Sequence, residues 1–310
     1  MMKRLVSTRG LDHASWLRYR KKGLGGSDAG AVCGWNRYRS AMQVFLDKTT
    51  EQAEEMDNEA MRQGKELEDY VARRFMEAAG KKVRRLNAIL YDDEHPFMLA
   101  DVDRMVVGEN AGLECKTASP YSADQWKDGK IPPSYLLQCY HYMSVCQADA
   151  WYLAVVIYGK EFRYCKIERD EEAIQNLVKT EKEFWEEYVL KGILPNPDGS
   201  EGADNAIRQM FPQSSEKTLL LPEQMEEKLL RRQSIQEQID QMDAQKRKIE
   251  QELKLYLGDA GSAENERFRI SWKTVSSSRL DEKRLKEEAP ELYQKFRKTS
   301  SSRRFTVKAA

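Results

Sequence analysis

The sequence predicts a mixed α/β domain over residues 1–200, followed by a helical, coiled-coil-like extension over 201–310. Three observations carry this prediction. Candidate strands and helices alternate through the first two hundred residues, the pattern of a sheet flanked by helices. Residues 150–157, Ala-Trp-Tyr-Leu-Ala-Val-Val-Ile, form a nearly continuous apolar run, as expected of a central strand. From Ile235 the apolar positions Ile235, Ile239, Met242, Ile249, Leu253 and Tyr256 keep a 4,3 spacing, with Lys246 at the one missing seam position. With 310 residues and 40% hydrophobic content the chain supports one sizeable core plus an appendage.

Residues 11–22 read as a helix with Trp16 and Tyr19 as packing residues. Gly23-Leu24-Gly25-Gly26-Ser27-Asp28-Ala29-Gly30 follows, a glycine-rich turn in which Ser27 or Asp28 caps a short helix. Free amides at such a helix start form an anion site, and an ordinary capped turn explains the same residues equally well. Residues 56–79 read as one long helix, with Met61, Leu67, Val71, Phe75 and Met76 at helical spacing and Gly80 as its stop. Residues 83–91 and 97–107 are strands joined by the turn Asp92-Asp93-Glu94-His95-Pro96, and 111–117 is the next strand. Residues 134–146 form a helix after Pro132-Pro133, packing through Leu136, Leu137, Tyr140 and Met143. Gln138 and Tyr142, four apart, share one of its faces. Residues 161–167 alternate as a partner for 150–157, 170–191 form a helix, and the Pro- and Gly-containing stretch 195–200 marks a domain edge. Beyond the seam come a basic strand over 267–273, a charged helix near 281–297 and a closing strand over 300–308. Their Arg and Lys, interleaved with aromatics, leave both duplex contact and a solvated face open.

The chemistry concentrates in residues 99–117. Asp103 is followed, after a gap of ten, by Glu114-Cys115-Lys116. Side chains two apart on a strand point the same way, so Glu114 and Lys116 share a face and Cys115 takes the other. Pairing of the two strands as a hairpin sets Asp103 beside Glu114. Two adjacent carboxylates suit a hard divalent cation such as Mg²⁺, and a neighbouring ammonium orients water or neutralises phosphate charge. The same alternation also occurs on solvated strands. Glu68, one step round from the apolar stripe of its helix, reads as a further acid for the site or as a solvated helix acid.

Composition narrows the class. Basic and acidic residues balance at 51 each, which leaves room for a local basic groove. No run of about eighteen apolar residues and no signal-peptide pattern occurs, so a soluble cytoplasmic protein without membrane association is expected. The five cysteines, Cys33, Cys115, Cys139, Cys146 and Cys165, form no CxxC pair and fit reduced thiols.

Five blocks in order give the chain a resemblance to a known family. They are Arg18-Tyr19-Arg20 leading into Gly25-Gly26-Ser27-Asp28; Gly64-Lys65-Glu66-Leu67-Glu68; Ala100-Asp101-Val102-Asp103; Leu113-Glu114-Cys115-Lys116-Thr117; and Tyr135 to Met143, which contains Gln138. Over residues 10–200 the chain resembles the phage recombination exonucleases of the YqaJ and lambda-exonuclease family, within the PD-(D/E)xK nuclease superfamily. The resemblance implies a restriction-endonuclease-like core and a Mg²⁺-dependent 5′→3′ exonuclease acting on one strand of linear duplex DNA, with Mn²⁺ a workable substitute. It also implies a trimeric ring threaded by DNA, a single-strand annealing partner, and a phage or prophage origin.

Carried over to this sequence, the resemblance makes Asp103, Glu114 and the Cys115 carbonyl metal ligands, with Glu68 completing a second position or holding a bound water. Lys116 positions water or stabilises developing charge, and Gln138 holds the water or a neighbour, with Tyr142 adjacent. Arg20 and Ser27 match positions that bind a terminal 5′-phosphate, with Arg37 or Arg39 adding to that pocket. Val102 stands in place of a proline, and Asp101 in place of a phosphate-contacting serine. An endonuclease of the same superfamily and a non-catalytic DNA-end-binding scaffold are the alternatives.

Overall fold

The strands predicted over 83–91 and 97–107 are each cut in two, and at each cut the chain passes from one sheet to the other. The computed structural model describes residues 2–50 and 59–308. In order, the elements are β1 (Met2–Ser7), α1 (His13–Arg20), β2 (Leu24–Gly25), α2 (Gly26–Val32), α3 (Ala41–Thr49), α4 (Glu59–Ala79), β3 (Val83–Arg84), β4 (Ala88–Asp92), β5 (Met98–Asp101), β6 (Arg104–Val106) and β7 (Ala111–Ala118). A 3₁₀ segment at Pro120–Gly129 leads to α5 (Pro133–Cys146), β8 (Ala150–Ile157), β9 (Glu161–Glu168), α6 (Glu171–Glu183) with a π-helical continuation at Phe184–Val189, and α7 (Glu201–Met210). Residues 56–58 of the predicted long helix lie outside the described residues.

One sheet has the order β1-β4-β5-β2 and the other β3-β6-β7-β8-β9. Asn87, at φ 53°, separates β3 from β4. Val102 and Asp103 separate β5 from β6, which belong to different sheets. The chain therefore changes sheet at Val102 and Asp103, and the Asp103 carboxylate reaches the backbone of β7.

The five-stranded sheet is covered on both faces. Trp151, Leu153, Val155 and Ile157 point into the cluster that holds Cys139 and Met143 of α5. Ala150, Tyr152 and Ala154 point the other way, with Val71, Ala72 and Phe75 of α4. That is why residues 150–157 are apolar throughout: each fully buried large side chain contributes about 1.5–3 kcal/mol, and both faces need them. β7 and β8 run parallel in register, with Glu114 opposite Leu153, joined by a crossover through α5. α5 thereby lies over the face that carries Glu114 and Lys116.

Helix α2 starts at Gly26, two residues before the start that a Ser27 cap requires and three before that of an Asp28 cap. Gly25 is the N-cap, and the Asp28 carboxylate accepts the Gly25 amide at 3.0 Å. The first compact unit runs to Pro212, not residue 200, because α7 returns to it: Ala203 and Ala206 enter its core.

The second unit begins at Gln213. Its main element is α8 (Glu223–Leu257), with Ile235, Ile239, Met242, Ile249, Leu253 and Tyr256 all exposed. The predicted basic strand shortens to β11 (Arg269–Ser271), paired with β10 (Ser262–Glu264). The charged helix divides into α9 (Glu282–Glu288) and α10 (Pro290–Phe296), because a residue before proline disfavours helical backbone and Ala289 sits at φ −142°. Residues 300–308 form no strand. Among the described residues, no helix is long and apolar enough to cross a membrane.

Candidate active site

β6 and β7 pair antiparallel, Arg104 opposite Leu113, and one further step of that register sets Asp103 opposite Glu114. The Asp103 carboxylate accepts the Cys115 backbone N–H at 2.7 Å, which locks the sheet break onto β7. Glu114 is buried, and its Oε1 receives Lys116 Nζ at 2.5 Å and Gln138 Nε2 at 2.7 Å. Lys116 Nζ also donates to Gln138 Oε1 at 2.9 Å and lies 4.7 Å from the Tyr135 ring centre. Strand alternation thus turns Glu114 and Lys116 toward α5, while Cys115 packs on the α4 side.

The electrostatics are those of an under-compensated acidic site. Burial, then the neighbouring Glu114 and Glu68 carboxylates, push Asp103 well above the ordinary carboxylate range. Burial likewise raises Glu114, although Lys116 pulls against it. Burial alone disfavours the Lys116 ammonium, but Glu114 beside it more than reverses this and keeps the amine protonated. Glu114 Oε2 is buried with no hydrogen-bond partner. An orphaned carboxylate oxygen next to a second acid is the donor set a hard divalent cation fills, so these residues fit Mg²⁺ or Mn²⁺.

Glu68 lines the same cavity but is turned to Arg104, whose guanidinium also reaches Asp69 and donates to the Asp103 carbonyl at 2.5 Å. Among the described residues, no three His, Cys, Asp or Glu side chains already converge as a metal cluster. Arg104 is the neighbour that sequence reasoning missed. It follows Asp103 directly, and nothing in the local sequence marks it, because its partners Glu68 and Asp69 come from α4.

The cavity, of about 450 Å³, extends from the two acids to Arg20, Ser27, Trp16 and Asp101. Arg20 donates to Ser27 Oγ at 2.8 Å and lies 4.7 Å from the centre of the Trp16 ring. The Trp16 indole donates to Asp101 Oδ2 at 2.6 Å, so Trp16 is a polar partner as well as a packing residue. Tyr142 is buried, its hydroxyl accepting from Gln138 Nε2 at 3.1 Å and donating to the Asp101 carbonyl at 3.4 Å. It organises the wall of the cavity.

Arg37 and Arg39 do not line this cavity. Arg37 is exposed, 4.8 Å from the Tyr38 ring centre. Arg39 pairs with Asp28 at 2.7 Å and with Asp47. Asp28 also meets Lys48 at 2.8 Å, and Lys48 Nζ donates to the Arg20 carbonyl at 3.0 Å. Burial works against the Asp28 charge, but Lys48 and Arg39 hold its carboxyl far below the ordinary range. Arg39 thus stands at one remove from the cavity, tied to Asp28 in the first turn of the helix that carries Ser27.

The model of the YqaJ-like viral recombinase domain matches residues 15–149. A Bacillus subtilis (strain 168) protein, "uncharacterized protein YqaJ", is 40% identical over 297 residues, 94% of this chain and 93% of the relative. Among solved structures, LHK-Exo of Laribacter hongkongensis in complex with dAMP is 20% identical with a TM-score of 0.49, over 63% of this chain and 98% of that one. A phage-related exonuclease from Haemophilus somnus 129PT is 14% identical with a TM-score of 0.42, over 55% of this chain and 96% of that one. Likeness at that level fixes neither substrate nor mechanism. The relation that decides is the 40% identity across nearly the whole of both chains, and by it this chain belongs to the YqaJ-like viral recombinase family.

Proposed function

We propose that the protein is a Mg²⁺-dependent 5′→3′ exonuclease that digests one strand of linear double-stranded DNA, leaving 3′ single-stranded tails for recombination by strand annealing. The observation that carries this reading is the buried pair Asp103 and Glu114, with one carboxylate oxygen orphaned and Lys116 held beside it. Asp103 and Glu114 would hold the metal, with the Cys115 carbonyl and, once released from Arg104, Glu68 as further oxygen donors. The metal supplies Lewis-acid polarisation of the phosphodiester and a more acidic water.

The protein's own groups do the rest. Lys116, protonated and fixed by Glu114 and Gln138, stabilises charge developing on the phosphoryl oxygens. Gln138 orients Lys116 and Glu114 through one amide. Arg20 and Ser27, at the other end of the cavity, suit a terminal phosphate, which carries more charge than an internal one and matches a forked guanidinium. A terminal pocket at one end of a catalytic cavity favours removal from an end over internal cutting. The family setting adds a cytoplasmic site of action, a ring-shaped trimer and an annealing-protein partner to the proposal. The exposed apolar seam of α8 supports an interaction role for the extension.

The test compares linear duplex bearing a 5′-phosphate with covalently closed circular duplex, each with Mg²⁺. Digestion of the linear form alone is expected. Equal cutting of the circle would move the assignment to an endonuclease of the same superfamily, and binding of ends without hydrolysis would move it to a scaffold.

A further inference from the structure

The end pocket contains an acid that terminal-phosphate binding does not call for. Asp101 closes β5 and faces the cavity shared with Arg20 and Ser27. Its Oδ2 is fixed by the Trp16 indole at 2.6 Å. The same indole carries the Arg20 guanidinium on its face, 4.7 Å from the ring centre, and Arg20 reaches Ser27 Oγ at 2.8 Å. Ser27, Arg20, Trp16 and Asp101 thus form one continuous wall, cationic at the Ser27 end and anionic at the Asp101 end. Among the described residues, Asp101 Oδ1 has no hydrogen-bond partner, and the backbone of Asp101 is held in place by β4 and by Tyr142. A carboxylate in this position repels a terminal phosphate dianion, and it accepts a hydrogen bond from a hydroxyl.

We propose that Asp101 is the residue that determines which 5′ end this protein accepts: it lowers the preference for 5′-phosphate and makes 5′-hydroxyl ends usable by accepting their proton donor. The inference rests on the exonuclease reading of the cavity and deepens it. Trp16 holds the carboxylate toward the end pocket, and Arg20 retains enough pull for a phosphate to enter as well. The substrate class is therefore duplex DNA with either terminal chemistry.

The experiment measures binding and hydrolysis of two otherwise identical short duplexes, one 5′-phosphorylated and one with 5′-hydroxyl ends, by the full chain and by Asp101→Asn. Asparagine keeps an acceptor for the Trp16 indole and removes the charge. Affinities are read with EDTA present, so that they stand apart from catalysis, and kcat/KM with Mg²⁺. In Asp101→Asn the phosphate-to-hydroxyl ratio is expected to widen about tenfold in both readouts, through a gain on the phosphorylated end and a loss on the hydroxyl end. A misfolded variant loses on both ends and is recognised by that. An unchanged or narrowed binding ratio overturns the proposal. Absence of hydrolysis on every duplex defeats the nuclease reading instead, and the EDTA binding ratio still decides the role of Asp101.

Discussion

The Asp103 carboxylate accepts the backbone N–H of Cys115 at 2.7 Å, across the point where the chain passes from one sheet to the other. This bond needs an acceptor but not a charge. The charge is a cost, since Glu114 and Glu68 stand nearby and burial weakens solvation. Asp103→Asn keeps the acceptor and removes the repulsion. It should raise metal-free stability by at least about 1 kcal/mol while lowering nuclease activity by about two orders of magnitude or more. Urea unfolding with EDTA, beside a digestion assay, checks both; loss of stability together with activity would show that Asp103 is structural.

The same repulsion predicts a cation effect. Asp103 and Glu114 are raised in the metal-free fold, so stability from them is full at acid pH and falls as pH rises through their folded pKa values. Mg²⁺ or Mn²⁺ should reverse this fall. At about a hundred times its dissociation constant a single bound ion adds about 2.7 kcal/mol. Thermal unfolding at neutral pH should rise with Mg²⁺ in the unaltered protein and stay flat in Asp103→Asn. A rise of the same size in both would place the ion elsewhere.

His141 lies fully buried with Nδ1 at 2.9 Å from Glu181 and Nε2 at 2.9 Å from the Leu99 carbonyl. Both ring nitrogens face acceptors, so the imidazole is doubly protonated. Burial opposes this, but Glu181 raises its pKa above the ordinary value. The stability it contributes is complete below the unfolded histidine pKa and is lost as pH rises through the folded one. Glu181→Gln should cost about 3–5 kcal/mol near pH 6, since it leaves a buried cation alone, and should flatten stability above pH 7. Unfolding free energies measured from pH 6 to 9 with saturating Mg²⁺ test it; an unaltered slope would rule out the pair as its source.

Gly26 starts α2 where a Cβ would come within 2.7 Å of the Tyr142 ring and 3.1 Å of Gln138. Gly26→Ala should therefore displace Tyr142 and with it the amide that orients Lys116. A stability loss of about 1–3 kcal/mol is expected. The added expectation is a kcat reduced more than KM is changed, read at a temperature where the variant is folded. Unchanged kcat would mean that Tyr142 does not transmit position to the site.

The sequence made the core of the site legible for a physical reason. Period-two alternation sends Glu114 and Lys116 to one face and Cys115 to the other, and a hairpin register needs no tertiary knowledge to set Asp103 opposite Glu114. Spacing of four put Gln138 and Tyr142 together on α5 in the same way. What stayed hidden depends on partners far along the chain. A run of strand-forming residues at 97–107 carries no mark of which sheet each half joins. Arg104 reads as an outward strand residue until α4 supplies Glu68 and Asp69. Arg39 has the charge for a phosphate pocket, but buried Asp28 claims it. Trp16 looks like packing because nothing local announces that its N–H meets Asp101, 85 positions away. The seam of α8 was visible as periodicity, whereas its exposure in a single chain was not.

The central claim is that Lys116, pinned between Glu114 and Gln138, acts on the phosphodiester beside a metal held by Asp103 and Glu114. The most direct measurement is the single-turnover rate on linear 5′-phosphorylated duplex with saturating Mg²⁺, for the unaltered protein and for Lys116→Ala. The account predicts a fall of about 10²–10³-fold, the scale for removing one charge-stabilising donor from a preorganised site, with duplex-end binding retained. Digestion by Lys116→Ala at the undiminished rate would contradict it.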